Sequence, residues 1–185
     1  MSHDREHSSL SVPPSIEDHI QGALDATVVL VLYGDYQSSQ SAGVYRLIKV
    51  MQRQLSVSLG ESYLCFIFRH FPQRRIHAQA ERAAEAAEAA SVQGKFWQMH
   101  DMLFNHQQAL GNGYLVEYAN QLGLDVCQFL QDLAGKVHLA RINQDLESGL
   151  NSGVITAPSL FINGIRYIDR WNLEPLMAAI DSVSY

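Results

Sequence analysis

Paired cysteines are missing from this chain: its 185 residues hold only two, Cys65 and Cys127, far apart and in no metal-ligand spacing. A disulfide framework or a Cys-rich zinc module is thereby excluded, and each cysteine, sitting in an apolar run, reads as a packed core thiol. Basic charge is also scarce. With 13 Lys and Arg against 19 Asp and Glu, the net charge is −6 and the pI near 5.7. No Lys/Arg block offers a stripe for phosphates, so no nucleic-acid partner is expected. The closest approach is Arg69 to Arg75, read as a strand end and loop carrying a few charges. No segment nears the ~18 consecutive apolar residues of a membrane span, which argues against a membrane partner. Met1 to Ser9 is polar without an apolar stretch behind a basic start, and this reads as a cytoplasmic protein rather than a secreted one.

What is present is organised. Residues 1–16 are aperiodic and contain Ser, His and Pro, an expected flexible segment. Thr27 to Tyr33 (TVVLVLY) is a β-branched run apolar on both faces, as in a buried parallel strand. Gly34 to Gln37 breaks it. A helix opens at Ser38 to Ser41, with Val44, Leu47, Ile48, Met51 and Leu55 at helical spacing. Tyr63 to Phe68 (YLCFIF) is a second buried strand, completing a βαβ unit.

The composition then shifts to Ala, Gln, Glu and Leu. Ala78 to Ala90 carries eight alanines, and further amphipathic stretches follow at 96–103, 115–122, 126–133 and 137–150. Strands return at Ser159 to Ile162, with Asn163-Gly164 as a hairpin turn and 166–168 as the returning strand. Leu173 to Val183 closes as a helix. The expected fold class is α/β, βαβ then ββα, with an inserted all-helical subdomain: 1–16 flexible, 17–76 first half, 77–152 helical insertion, 153–185 second half.

Seven sequence blocks in order resemble the DsbA-like thioredoxin-fold family. They are Asp18-His19-Ile20-x-Gly22, Tyr33-Gly34-Asp35-Tyr36-Gln37, Phe68-Arg69-His70-Phe71-Pro72, the His77 to Ala90 alanine ladder, Gln93-Gly94-Lys95-Phe96-Trp97, Asp145 to Val154, and Thr156-Ala157-Pro158 with Phe161-Ile162-Asn163-Gly164. In that family the segment after Gly-Asp-Tyr-Gln reads Cys-Pro-x-Cys, or Cys-Pro-x-Ser in a monothiol branch. Here it is Ser38-Ser39-Gln40-Ser41, with the proline also gone.

The resemblance therefore marks Ser38 and Ser41 as the catalytic-cysteine positions of a degenerate site. Serine supplies no accessible thiolate, so the dithiol–disulfide cycle is expected to be absent. By resemblance Pro158 is a cis proline whose loop, Thr156-Ala157-Pro158, presents a backbone edge for strand addition, with Gln40 on the facing side. Three functions follow from the resemblance. One is a redox-inactive module binding a peptide or a small thiol. A second is a glutathione-dependent transferase or isomerase similar to kappa-class enzymes, using Ser38, with glutathione as the one cofactor in view. The third is a disulfide oxidoreductase by family whose cysteines were lost by drift or by a laboratory change. Ser38 or Ser39 is in any case a good helix N-cap. No acid or cysteine is spaced to join His70 and His77 as metal ligands, so no metal is expected. His100, Phe96, Trp97 and Tyr118 read as core of the helical block.

Overall fold

The structure is a computed structural model and describes residues 8–183. A five-stranded sheet has the order β1-β3-β2-β4-β5: β1 His19–Gln21, β2 Val28–Gly34, β3 Leu64–His70, β4 Ser159–Ile162 and β5 Ile165–Arg166. β2 and β3 run parallel in register Val28↔Leu64 to Gly34↔His70, joined by helix α1, Ser39–Leu59. β4 lies antiparallel on the other side of β2, with Ser159 opposite Tyr33. Because β2 and β3 sit inside the sheet, both their faces are covered, which is why each reads as an unbroken apolar run.

Alternate residues divide the core. Leu30, Leu32, Phe66 and Phe68 face α1 and the helical block, while Val31, Tyr33, Cys65, Ile67 and Phe161 pack in a smaller cluster with Leu10, Leu24 and Leu146. Asn163 and Gly164 both have positive φ, 47° and 83°, and turn β4 into β5, as two-residue hairpins of this kind require. β5 covers Ile165–Arg166, displaced towards the turn from the expected 166–168, and β1 is a strand that the sequence pattern did not reveal. Residues 1–7 of the expected flexible segment lie outside the described residues. After them, Ser9 bridges Ile165, Leu10 N–H donates to the Gly164 carbonyl, and Ser11 N–H donates to Ser152 Oγ at 2.9 Å.

The helical block comprises α2 Ala80–Ser91, α3 Phe96–Asn105, α4 Asn112–Gln121, α5 Val126–Gly135 and α6 Leu139–Asn151, and α7 Leu173–Ser182 closes the described chain. α2 is buried nearly all round, so its alanines both favour helix and let α3 and α5 pack close. α5 turns Phe129 and Leu133 inward, which leaves Cys127 on its outer face. Cys127 is therefore exposed, a correction to its reading as a core thiol, whereas Cys65 is fully buried. At α6, a side chain on Gly149 would lie 2.9 Å from the Phe71 ring and 3.0 Å from the Tyr33 ring, so only glycine lets this helix seat on the sheet.

Two buried ion clusters tie the layers together. Arg69 lies at the end of β3, as expected of the strand end. It is buried, its Nε and Nη2 donate to the Asp18 carboxylate at 2.8 and 2.9 Å, and Nη1 donates to the Val12 carbonyl. Glu88 of α2 reaches the sheet, where its Oε1 lies 2.6 Å from His19 Nε2 of β1 and 2.8 Å from His70 Nε2 of β3. Burial alone would raise the Glu88 pKa, but the hydrogen bonds from His19 and His70 outweigh it and hold the carboxyl far below the usual range. A carboxylate so depressed stabilises the fold above its unfolded pKa of ~4.3, and that contribution is lost as pH falls through the folded value. Glu88→Gln is expected to lower stability by about 2–4 kcal/mol at neutral pH in urea unfolding, and to remove part of the acid-side loss of stability seen in the parent.

Candidate functional site

The site is built where β2 ends and α1 begins. Gly34 is required there, since a side chain on it would overlap the Phe68 ring. The next residue, Asp35, is almost fully buried and organises the turn. Its Oδ1 accepts from Gln37 N–H at 2.8 Å, and its Oδ2 accepts from Gln73 N–H and lies 2.8 Å from His77 Nδ1. Its backbone carbonyl accepts from Ser38 N–H at 3.1 Å, and its N–H donates to Ser41 Oγ at 3.2 Å. A buried carboxylate needs such donors, and this one obtains them from the turn itself and from the loop after β3.

Ser38 is the N-cap of α1. Its backbone is extended, with φ −80° and ψ 118°, and its Oγ accepts from Ser41 N–H at 3.1 Å. Ser38 and Ser41 are both buried, while Ser39 and Gln40 between them are exposed. Gln107 of the helical block closes the other side, its Nε2 donating to the Tyr36 and Ser38 carbonyls at 2.7 and 2.8 Å. The two positions marked by the degenerate motif are thus stitched into the turn by their hydroxyls.

The Thr156–Pro158 loop arrives from the opposite strand. Because Ser159 pairs with Tyr33, the residues just before it fall at the end of β2 from which Asp35 and Ser38 depart. The Ala157–Pro158 peptide bond is cis. Thr156 is exposed and its carbonyl accepts from Ser159 Oγ, while Ala157 is buried and its carbonyl faces Gln73 Nε2 at 3.5 Å. Gln73 therefore joins the proline loop to the Asp35 carboxylate that holds Ser38. A cavity of about 690 Å³ lies elsewhere, between β5 and α7, lined by Ile165, Tyr167, Ile168 and Pro175. It holds none of the site residues, and its size alone says nothing about chemistry.

The remaining titratable groups are structural or lie outside the turn. His100 is buried with Nδ1 2.7 Å from Tyr36 Oη, among the rings of Phe68, Trp97 and Phe104, and burial keeps its pKa well below the ordinary value. Phe96, Trp97 and Tyr118 pack in the same core. The expectation that no acid joins His70 needs correcting: Glu88 does, together with His19, and the three ligand-type atoms lie within 4.8 Å of one another. Sequence spacing could not show this, since they come from three separate elements. A metal-bound imidazole needs an acceptor for its other N–H, and the second nitrogen of His70 is buried without a partner among the described residues. The 2.6 and 2.8 Å contacts fit a hydrogen-bonded clasp. Among residues that sequence reasoning missed, Asp35 and His77 matter most at the site.

The thioredoxin family model matches residues 15–182. The chain belongs to the thioredoxin family. Its fold is that of DsbA-type proteins: oxidised BdbD from Bacillus subtilis superposes with a TM-score of 0.81 at 18% identity, covering 96% of this chain and 98% of that one. The alpha-DsbA1 protein of Wolbachia pipientis gives 0.77 at 19% identity over 92% of each chain. In sequence, a Na(+)/H(+) antiporter NhaA 3 of Salinispora tropica is 37% identical over 165 residues, which is 89% of this chain but 24% of that protein. This family member thus spans about a quarter of the length of the curated relatives it matches. Among the described residues no helix is long and apolar enough to cross a membrane.

Two measurements check this geometry. Ser38→Ala removes the α1 cap and is expected to cost about 1 kcal/mol in urea unfolding, with Ser38→Asp keeping most of it. Burial, then the Asp18 charge, pushes the Cys65 thiol up to about 11. A thiol reagent at neutral pH should therefore modify Cys127 alone in the native protein, and Cys65 as well only in denaturant.

Proposed function

We propose that the chain is a redox-inactive, cytoplasmic binding module whose ligand, an extended peptide or a small thiol such as glutathione, lies between the start of α1 and the Thr156–Pro158 loop. The observation that carries this reading is Ala157. It is buried, yet its N–H has no hydrogen-bond partner among the described residues, and its carbonyl has only the 3.5 Å approach of Gln73. That N–H is a donor that the carbonyl of an added strand would take up. Thr156 and Gln40, both exposed, flank that edge as further contacts. With serine at 38 and 41, no thiolate stands at the helix start and no mixed disulfide can form there. The exposed, unpaired Cys127 fits a reducing compartment.

One observation favours a thiol over a peptide as ligand, along the lines of a glutathione-dependent transferase. Ser38 Oγ accepts from Ser41 N–H and has no acceptor for its own proton among the described residues. That hydroxyl can donate to a thiolate, which the positive end of α1 would also favour.

Insulin-disulfide reduction and calorimetry with reduced glutathione and with an extended peptide test the proposal together. The expected outcome is no turnover above background, with saturable binding of at least one ligand that Ala157→Pro weakens tenfold or more by removing the N–H. Turnover that survives Cys65→Ala and Cys127→Ala, turnover abolished by either change, or failure of both ligands to bind would each overturn it.

A further inference from the structure

His77 has no assigned role, but its geometry is that of a base. Its Nδ1 lies 2.8 Å from Asp35 Oδ2, and that carboxylate is fully buried while the imidazole is about a quarter exposed, at 23%. Asp35 can only accept when ionised, so it places the proton of neutral His77 on Nδ1. Nε2 then carries the lone pair, and it has no protein partner among the described residues. The same carboxylate is bonded to Gln37 and Gln73, and its backbone holds Ser38 and Ser41. A buried carboxylate that orients an imidazole, and an imidazole whose other nitrogen is free, are two of the parts that general-base chemistry uses, and both sit on the residue that also holds the Ser38 turn.

The geometry points to His77 as the proton acceptor for a thiol bound at Ser38. This rests on the binding reading above and narrows it: the ligand is a thiol that ionises on binding. The sulfur–hydrogen bond breaks, its electron pair stays on sulfur, and the proton passes to His77 Nε2. A thiolate and an imidazolium result, with no oxidant and no change at carbon. Asp35 stabilises the imidazolium it already orients, while Ser38 Oγ and the α1 N-terminus face the thiolate. Asp35 is the charged group bonded to His77; in the same loop Arg74 and Arg75 are exposed, and Arg74 pairs with Glu81 at the start of α2.

A thiol built into the protein probes this without a choice of ligand. In a Cys127→Ala background, the Ser38→Cys variant is alkylated with iodoacetamide across the pH range, with His77 present and with His77→Gln. With His77 present, the introduced thiol should titrate below the ~8.5 of a free cysteine. With His77→Gln, its pKa should rise by about one unit, giving roughly tenfold slower alkylation below it. Gln keeps an N–H for Asp35, so the fold should survive; His77→Asn is the second variant if it does not. An identical titration with and without His77 would overturn the assignment of His77, and would leave ligand binding at the Ala157 edge untouched. Calorimetry with S-methylglutathione separates the two further. A binding module that takes no thiol proton should bind it as well as glutathione does, and with equal affinity in His77→Gln; such a result also contradicts the inference.

Discussion

The contact on which the rest of the architecture depends is the Glu88 carboxylate held between His19 and His70. An unpaired carboxylate at this depth would be prohibitively costly, so α2 can sit against the sheet only where two donors await it. Those donors are at the edge strand β1 and at the last residue of β3. One oxygen therefore fixes the helical insertion, the sheet edge and the point where the chain leaves β3. His70 N–H also donates to Asp145 Oδ2 of α6 at 2.9 Å, and Asp145 pairs with Arg141, so a second helix is anchored at the same residue.

The turn at the start of α1 inherits this constraint. Leaving β3 at His70, the chain runs through Phe71, whose N–H donates to the Gly34 carbonyl, to Gln73 and His77, which both reach Asp35. The turn that carries Ser38 and Ser41 is thus held by the loop that the Glu88 clasp positions. Serine at these two positions leaves no gap. Each hydroxyl accepts a backbone N–H of the turn, which explains how the helix start keeps its form without thiols.

Most of the fold was legible because its signals are local. TVVLVLY and YLCFIF are apolar on both faces, the alanine ladder has no competing strand pattern, and Asn163-Gly164 announces a turn with positive φ at both residues. β1 was not legible: His19-Ile20-Gln21 is too short to show a period, and antiparallel pairing with Phe66 to Phe68 alone makes it a strand. At the candidate site, Ser38, Ser41 and Pro158 were singled out through resemblance, and Gln40 is exposed. The dyad of Asp35 and His77 was missed because 42 residues separate its members, and the clasp because its three come from β1, β3 and α2. Cys127 shows a different limit. An apolar neighbourhood in sequence does not reveal which side of a helix faces the core, and only the seating of Phe129 and Leu133 decides it.

The proposed ligand lies at the Ala157 edge and not in the groove between β5 and α7. Amide hydrogen exchange of the full chain, with and without saturating reduced glutathione or extended peptide, tests this placement most directly. The Ala157 amide is expected to exchange readily in the free protein and to become protected on binding, together with the first turn of α1 at Ser39 to Ser41. Protection confined to Tyr167, Ile168 and the facing turn of α7, with Ala157 unchanged, would contradict it.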